Sequence, residues 1–531
     1  MRLVLVVMSL LSLGGVALAQ YAPPHEAAPT LPVVGTTPAP HLFPPRLAVL
    51  ASLNDADQIA HEDQPFQRYL YLPDLAYAPT FAIAQRLGIN LISRESQFAY
   101  PHAVTEGLWR IDLRDYQTNP KVFEKLGAID PYFHRTQTRV IVEEIEEEVE
   151  YDQSYGYYGS DGKFVHSYYQ RDKKKVKRQE RRTVTRRFLY APQAAGQLAS
   201  LALLLQSDAP IVRADWFLVQ TARQTTLNNR EDTGTGYYDF LELASLKDYF
   251  RLIGQNSNPA NSKILIQAVV NSSGVSAQNR IVQRDGCDTG GHWTTLDVFN
   301  QSGRGIAINH LRVGEFVADV NEHFAPLPNG LPVTFLNDAK GVRQSSAPDK
   351  IGGNRSPLNP SADTRIHDNI ACLQCHGPAV LMGVEDTVRP TYTGRLGVLT
   401  NDKSLDLELK RQYKANLNRT LDQDRGLYQD AYSTVTGKQA KEAINTYSGA
   451  FTTYAYSRVD LKTASVELGV TPGAFLKALK DGAQRLGSSD FRLDPFLTTP
   501  PQSVDRLTWE DSFGEAQFRL YGVLQAQPGG Q

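Results

Sequence analysis

The 531-residue chain holds three cysteines, Cys287, Cys372 and Cys375. Three thiols cannot staple a disulfide-dense scaffold, and a four-cysteine zinc site is out of reach. Methionine is equally scarce: past residue 19 only Met382 remains. A dominant charge sign is also missing. The net formal charge is −2, which implies no nucleic-acid footprint. Beyond residue 19 no apolar run approaches the ~20 residues that a membrane-spanning helix needs, so no transmembrane segment is expected after signal cleavage. The apolar fraction, 41%, is ordinary for a globular protein, and the length suits two or three domains.

Two of the three cysteines fall in Cys372-Leu373-Gln374-Cys375-His376. The C-x-x-C-H spacing is the attachment signature of a c-type haem. Thiols three positions apart sit on one turn and can each add to a porphyrin vinyl group, and the histidine that follows is placed to bind the iron. Cys372 and Cys375 are therefore the expected covalent haem-binding residues and His376 the proximal iron ligand. One covalent haem c, with its iron, is the expected cofactor. The N-terminus agrees with this. Residues 1–19 carry Arg2, an apolar stretch over 3–13, and Ala17-Leu18-Ala19, the three parts of a cleaved secretory signal. The expected location is periplasmic or, more broadly, the cell envelope or secreted space. Three other readings compete, the least of them a sterically awkward disulfide between Cys372 and Cys375. A structural zinc site would need Cys287 and scattered histidines to complete four ligands. A thioredoxin-type dithiol would open a helix in a β-α-β unit, and residues 363–371 are not a strand-like apolar run. Cys287 is expected to be buried and inert, as free cysteine usually is.

The chain divides by pattern. Residues 20–45 are proline-rich and read as an extended tether. An α+β domain is expected over 46–340, a helical haem c-binding domain over 341–515 and a tail over 516–531. In the first, residues 66–72, 108–113, 211–220 and 264–270 read as strands, and 76–87 and 193–205 as helices. Residues 138–190 stand apart: an acidic arm with six glutamates, a loop rich in Tyr, Gly, Ser and Asp, and a dense basic arm. Paired antiparallel, these arms would set opposite charges across a two-stranded ribbon. After the C-x-x-C-H motif, residues 405–421, 439–454, 461–468 and 474–479 have helical spacing, and Thr471-Pro472 reads as a helix start. The fold class is α+β: a mixed N-terminal part with a charged β-ribbon, then a mainly helical, cytochrome c-like C-terminal part.

The second axial ligand of an iron at His376 is open. Met382 follows His376 by only six residues, and a methionine beside a haem also packs well as core. His367, His292, His310 and His323 are the histidine candidates, and the sequence does not choose among them.

Several stretches resemble a family of large, exported, mostly uncharacterised bacterial proteins with a single c-type haem motif, described as cytochrome c domain-containing. They are Arg110-Ile111-Asp112-Leu113-Arg114-Asp115-Tyr116, Arg213-Ala214-Asp215-Trp216-Phe217, Ser273-Gly274-Val275-Ser276 with Asn279-Arg280, and Leu327-Pro328-Asn329-Gly330-Leu331. The haem motif follows, and then Glu467-Leu468-Gly469-Val470 with Phe475. The resemblance runs from about residue 66 to 513, and implies haem binding and an envelope location but no substrate. The chain departs from the family pattern in the charged ribbon, in Asn369-Ile370-Ala371 where Asn-Gly-Leu is usual, and in His292-Trp293 where Tyr-Trp is usual.

Three functions remain. One is a one-electron carrier working with a redox partner protein, although a simple carrier needs only one small domain. The second is an open-iron enzyme of peroxidase or oxidoreductase type, with Arg110, Asp112, Arg213, Asp215, His310 and His323 as polar candidates. The third is a non-catalytic envelope protein in which the haem is a sensor or a structural staple. The reading adopted is an exported monohaem c-type cytochrome.

Overall fold

A computed structural model describes residues 43, 45–133, 136–158, 160–189, 195–224, 234–255, 266–270, 280–297, 318–347, 365–376, 386, 403–414, 416–486 and 491–525. The expected signal, most of the tether, His310 and Met382 lie outside them.

The chain is α+β. It opens with α1 (Pro45–Ala56), β1 (Gln67–Tyr71), α2 (Ala78–Leu91), β2 (His102–Thr105), β3 (Leu108–Asp112) and α3 (Pro120–Ile129). Asn119 starts α3, its side chain accepting from the Lys121 N–H, with Pro120 in the first turn. Then come β4 (Thr136–Tyr158), β5 (Phe164–Leu189), α4 (Ala195–Leu204), β6 (Ile211–Arg213) and α5 (Ala214–Thr221). One sheet has the order β2-β3-β1-β6. β1 runs antiparallel to β3 and parallel to β6. Every residue of β1 is buried, as expected of a central strand covered on both faces.

Residues 211–220, expected as one strand, are three residues of β6 and then a helix. All eight residues of α5 are buried, so the run shows no alternation of buried and exposed positions to separate strand from helix. Asp215 decides the switch. It accepts the Trp216 N–H at 2.9 Å and both ends of the Arg213 guanidinium at 2.7 and 3.0 Å, placing negative charge in the first turn of a helix.

β4 and β5 pair along their length, with Glu143 opposite Arg182, Glu147 opposite Arg178 and Glu150 opposite Lys175. Next come α6 (Tyr237–Phe240) and α7 (Leu246–Leu252). An antiparallel meander follows, of β7 (Ile266–Val270), β8 (Arg280–Cys287), β9 (Gly290–Asp297), β10 (Val320–Pro326), β11 (Pro332–Asp338) and β12 (Arg343–Gln344). Gly330, at φ +86°, makes the turn between β10 and β11, a conformation that glycine adopts without steric cost.

The short helix α8 (Ile370–His376) carries the motif. After it come α9 (Lys403–Lys414), α10 (Leu417–Thr436), α11 (Ala440–Ala455), α12 (Leu461–Glu467), β13 (Arg458–Val459, just before α12), α13 (Pro472–Leu486), β14 (Val504–Asp505) and α14 (Arg506–Gln525). Residues 405–421, expected as one helix, span two, because the Asn416 side chain accepts the Arg419 N–H at 3.0 Å and caps a fresh start. Thr471 caps α13 through the Ala474 N–H. The expected tail from 516 begins inside α14, where Ala516 and Leu520 are buried. None of the helices searched, among the described residues, is long and apolar enough to cross a membrane.

α11 packs against α2, α5 and α8, so the helices after the motif lie on the N-terminal layer. One apolar cluster includes both Ala48 and Ala516. β12 continues the six-stranded sheet past residue 340. Among the described residues no break in packing falls at the expected 340/341 boundary.

Candidate functional site

The chain reaches α8 in extended form. Ser346 and His367 form an antiparallel bridge, with the Ala347 N–H on the Ile366 carbonyl at 2.9 Å and the Asp368 N–H on the Ser345 carbonyl at 3.2 Å. It then pivots at Asn369, whose φ of +62° is left-handed, a region that asparagine tolerates better than most residues. Thr334 of β11 fixes the pivot. Its hydroxyl donates to Asp368 Oδ1 at 2.6 Å and accepts the Asn369 N–H at 3.2 Å. The Ile370 N–H donates to the Ala222 carbonyl at 3.1 Å, which ties the helix start to the end of α5.

On α8, Cys372, Cys375 and His376 are spaced i, i+3 and i+4, and so share one face. Cys372 is 1% exposed; Cys375 is half-buried, and both are free thiols. The β10 strand forms the wall beside them. Glu322 Oε1 lies 3.4 Å from His376 Nε2, and the Phe324 ring lies 5.6 Å from the imidazole. These two side chains are two residues apart and therefore face the same way. Tyr428 of α10 closes over Phe324 at 5.3 Å.

Burial pushes the Cys372 thiol well up, with Glu322, Asp368 and Cys375 adding to it. Burial, and then Glu322, raises Cys375 to about 11. Both sulfurs therefore stay protonated at neutral pH, unlike the thiolates of a metal centre or a reactive dithiol. Burial also raises Asp368, to about 7, against hydrogen bonds from Thr334 and Tyr238. Glu322 goes the other way. Burial would raise it, but the charge and hydrogen bond of His376 outweigh that and hold it down at about 2.

The other predicted ligands are distributed differently. Asp285, His292, Thr294, His323 and Asn337 lie on one face of the meander, because the register sets Asp285 opposite His292, Thr294 opposite His323, and His323 opposite Phe335. Glu322 and Phe324, adjacent to His323 in a strand, point to the other face. His292 and His323 thus lie across the sheet from His376, and strand alternation turns them away from an iron bound there. They engage each other instead. Their rings stack at 5.3 Å and 5°, and His292 Nε2 is 3.1 Å from His323 Nδ1. His292 Nδ1 reaches Asp285 at 2.7 Å and His323 Nε2 reaches Asn337 Oδ1 at 2.7 Å. Both ends of this chain are acceptors, so its three bonds take three ring protons and one ring carries two. Burial, and then His292, depresses His323 to about 3.

His367 is buried at the N-terminal approach to α8, at the opposite end of the helix from His376. Cys287 is half-buried, with Thr289 Oγ1 at 3.3 Å, and burial raises its thiol. Arg110 pairs with Asp55 at 2.7 Å. Asp112 accepts from Gln67 and Arg114. Arg213 and Asp215 belong to a buried ion network that is described below. These four polar candidates act as structural partners, away from α8.

Sequence reasoning missed Glu322, Phe324, Thr334 and Asp368. Only the strand pairing of β10 and β11 brings them to the motif, and nothing local in their sequence marks them. Among the described residues no group of three or more His, Cys, Asp or Glu side chains is arranged to hold a metal ion. Thioether attachment needs no further side chain, and two thiols and an imidazole on one helical face are the donor set that a covalent haem requires. No family model, curated protein or solved structure matches the chain.

Proposed function

We propose that the chain is an exported monohaem c-type protein in which Cys372 and Cys375 take the porphyrin and His376 takes the iron. Its role would be one-electron transfer in the cell envelope with a protein redox partner; the cytochrome c domain-containing family that its sequence resembles implies the haem and the envelope location. The observation that supports this best is the arrangement on α8: two free, protonated thiols and an imidazole on one face of one helix, half enclosed by β10. When bound, a haem there supplies an Fe(III)/Fe(II) couple. The protein's own residues do the rest. Thr334 and Asp368 hold the start of α8, and Phe324 and Tyr428 pack beside His376; Glu322 lies 3.4 Å from His376 Nε2, and would release that nitrogen were the iron to take it.

A second reading, an open iron serving an enzyme or a sensor, is favoured by one observation. His292 and His323 face away from His376, which leaves fewer candidates for a second protein ligand.

The test is a pyridine haemochrome spectrum of protein exported alongside a haem-attachment system, then the native spectrum with and without CO. One c-type haem per chain, lost in Cys372→Ala and reduced in Cys375→Ala, is the expected result. A full covalent load in either variant, or no haem in the native chain, would sink the assignment. No response to CO supports the carrier, and CO binding supports the open iron.

A further inference from the structure

The register of the meander sets which side chains meet α8. In β10, Glu322 lies opposite Thr295 of β9 and Leu336 of β11, and Phe324 lies opposite Trp293 and Thr334. Residues directly opposite share a face, and this is the face from which Thr334 reaches Asp368 at 2.6 Å. Asp297, opposite Val320, belongs to it too, and so does Arg280, opposite Asp297. Arg280 Nε donates to Asp297 Oδ1 at 2.8 Å, and both residues are buried.

Glu322 is the carboxylate on this face that reaches the donor set of α8. Its Oε1 lies 3.4 Å from His376 Nε2, and its charge bears on the Cys372 thiol as well. A group bound through Cys372, Cys375 and His376 has to lie on the α8 face that the three share, and β10 is the strand across from that face. A metal held by His376 Nε2 therefore has Glu322 before it.

We infer that Glu322 is the second axial ligand of that iron. The inference rests on the covalent-haem reading above and supplies the ligand which that reading left open. In the haem-free chain the carboxylate pairs with the imidazole; on loading it changes partner, to the metal that the imidazole holds. Haem iron accepts an anionic oxygen ligand, as it does from tyrosine, and the Arg280 guanidinium supplies positive charge near the carboxylate. The histidines do not compete for this place. His292 and His323 are bound to each other on the opposite face of the sheet, and His367 is buried at the other end of α8.

The experiment uses the full chain exported alongside a haem-attachment system. The pyridine haemochrome is read first in the native chain, in Glu322→Gln and in Glu322→His, so that the covalent haem is established apart from its ligand. The ferric spectra are then compared, because an anionic ligand favours Fe(III) over Fe(II). The native ferric iron is expected to be high-spin, since a carboxylate is a weak-field ligand. Glu322→His turns it low-spin, with two imidazoles on the iron. Glu322→Gln stays high-spin, shows a higher reduction potential, and binds added imidazole about ten-fold or more tighter, because the native carboxylate fills that position most of the time.

The native spin state needs no variant: a low-spin native ferric iron means that a stronger ligand is in place, and overturns the inference. So does a Glu322→His protein that remains high-spin, or an imidazole affinity that differs by less than about two-fold between the native chain and Glu322→Gln. No covalent haem in the native chain removes the reading on which the inference rests, whereas a full haem load with an unmoved ferric spectrum removes Glu322 alone.

Discussion

At the scale of single residues, the candidate site is asymmetric. Cys372 is closed off while Cys375 is half-buried, so in the folded, haem-free chain a thiol reagent should label Cys375 at least ~10-fold faster than Cys372, since labelling follows access to the thiolate. Mass spectrometry of the labelled peptides reads this directly, and equal rates would contradict the placement of α8. Were a haem to attach at Cys372, as proposed, the same burial would require attachment before the site closes. Asp130, 1% exposed, is a second single-residue case. Burial raises its carboxyl to about 7, against the N–H groups of Tyr132 and Phe133. Because the folded value lies above the unfolded ~3.9, the folded state holds the proton more tightly. That contribution is fully present below about pH 4 and is lost as pH rises through about 7. Asp130→Asn keeps an oxygen acceptor for the Tyr132 N–H and does not titrate. Its stability relative to the native chain should therefore rise between pH 5 and pH 8, by about 2–3 kcal/mol from a shift of that size. Denaturant midpoints at the two pH values would show it, and a flat difference would count against a buried, protonated Asp130. Of these residues, the motif was legible because its spacing is chemistry written locally. The partners of the motif were not, since Glu322 and Thr334 become neighbours of α8 only through strand register.

At the scale of elements, strand alternation in β10 is the decisive fact. It sends Glu322 toward His376 and His323 to the opposite face, into the chain from Asp285 to Asn337. His323→Gln should therefore leave the visible spectrum of the haem-loaded protein unchanged, while costing about 1–3 kcal/mol for a broken buried hydrogen-bond chain. A shifted Soret band together with a new CO response would instead put His323 on the iron. The α5 helix teaches a related lesson. Residues 211–220 read as a strand because every residue in the run is suited to burial, and Asp215 after Arg213 was the one local sign of a helix start. Helices with a polar face, such as α10, α11 and α13, were legible from their spacing.

At the scale of the whole molecule, a buried ion network joins the two halves. Glu467 of α12 takes Arg213 from the end of β6 at 2.7 Å and Arg506, at the start of α14, at 2.9 Å. The Trp509 indole N–H donates to it at 2.7 Å. Tyr132 and Tyr454 lie against the guanidinium groups, with Arg213 4.7 Å and Arg506 5.0 Å from their respective rings. Burial would raise the Glu467 carboxyl, but the two arginines outweigh that and hold it at about 2. Glu467→Gln removes the carboxylate from Arg506 and leaves Arg213 with Asp215, and should cost about 3–5 kcal/mol. Since the network spans both halves and one core includes Ala48 and Ala516, unfolding should remain a single transition, with the near-UV and far-UV circular dichroism midpoints coinciding. Separated midpoints would mean that the halves are independent after all.

The sequence by itself determined the α+β class, most of the elements and the haem-attachment signature. Each of these rests on local patterns: periods of two and 3.6, caps, turn residues, and two thiols one helical turn apart. The tertiary structure alone decided three things. It made one core of stretches that read as two domains, because α11 packs on α2 and α5. It set Glu322 beside His376 and turned His292 and His323 away, because neighbouring residues on a strand face opposite sides of a sheet. It also set the acidic arm of the charged ribbon against its basic arm, because the register of β4 on β5 fixes which positions lie opposite each other.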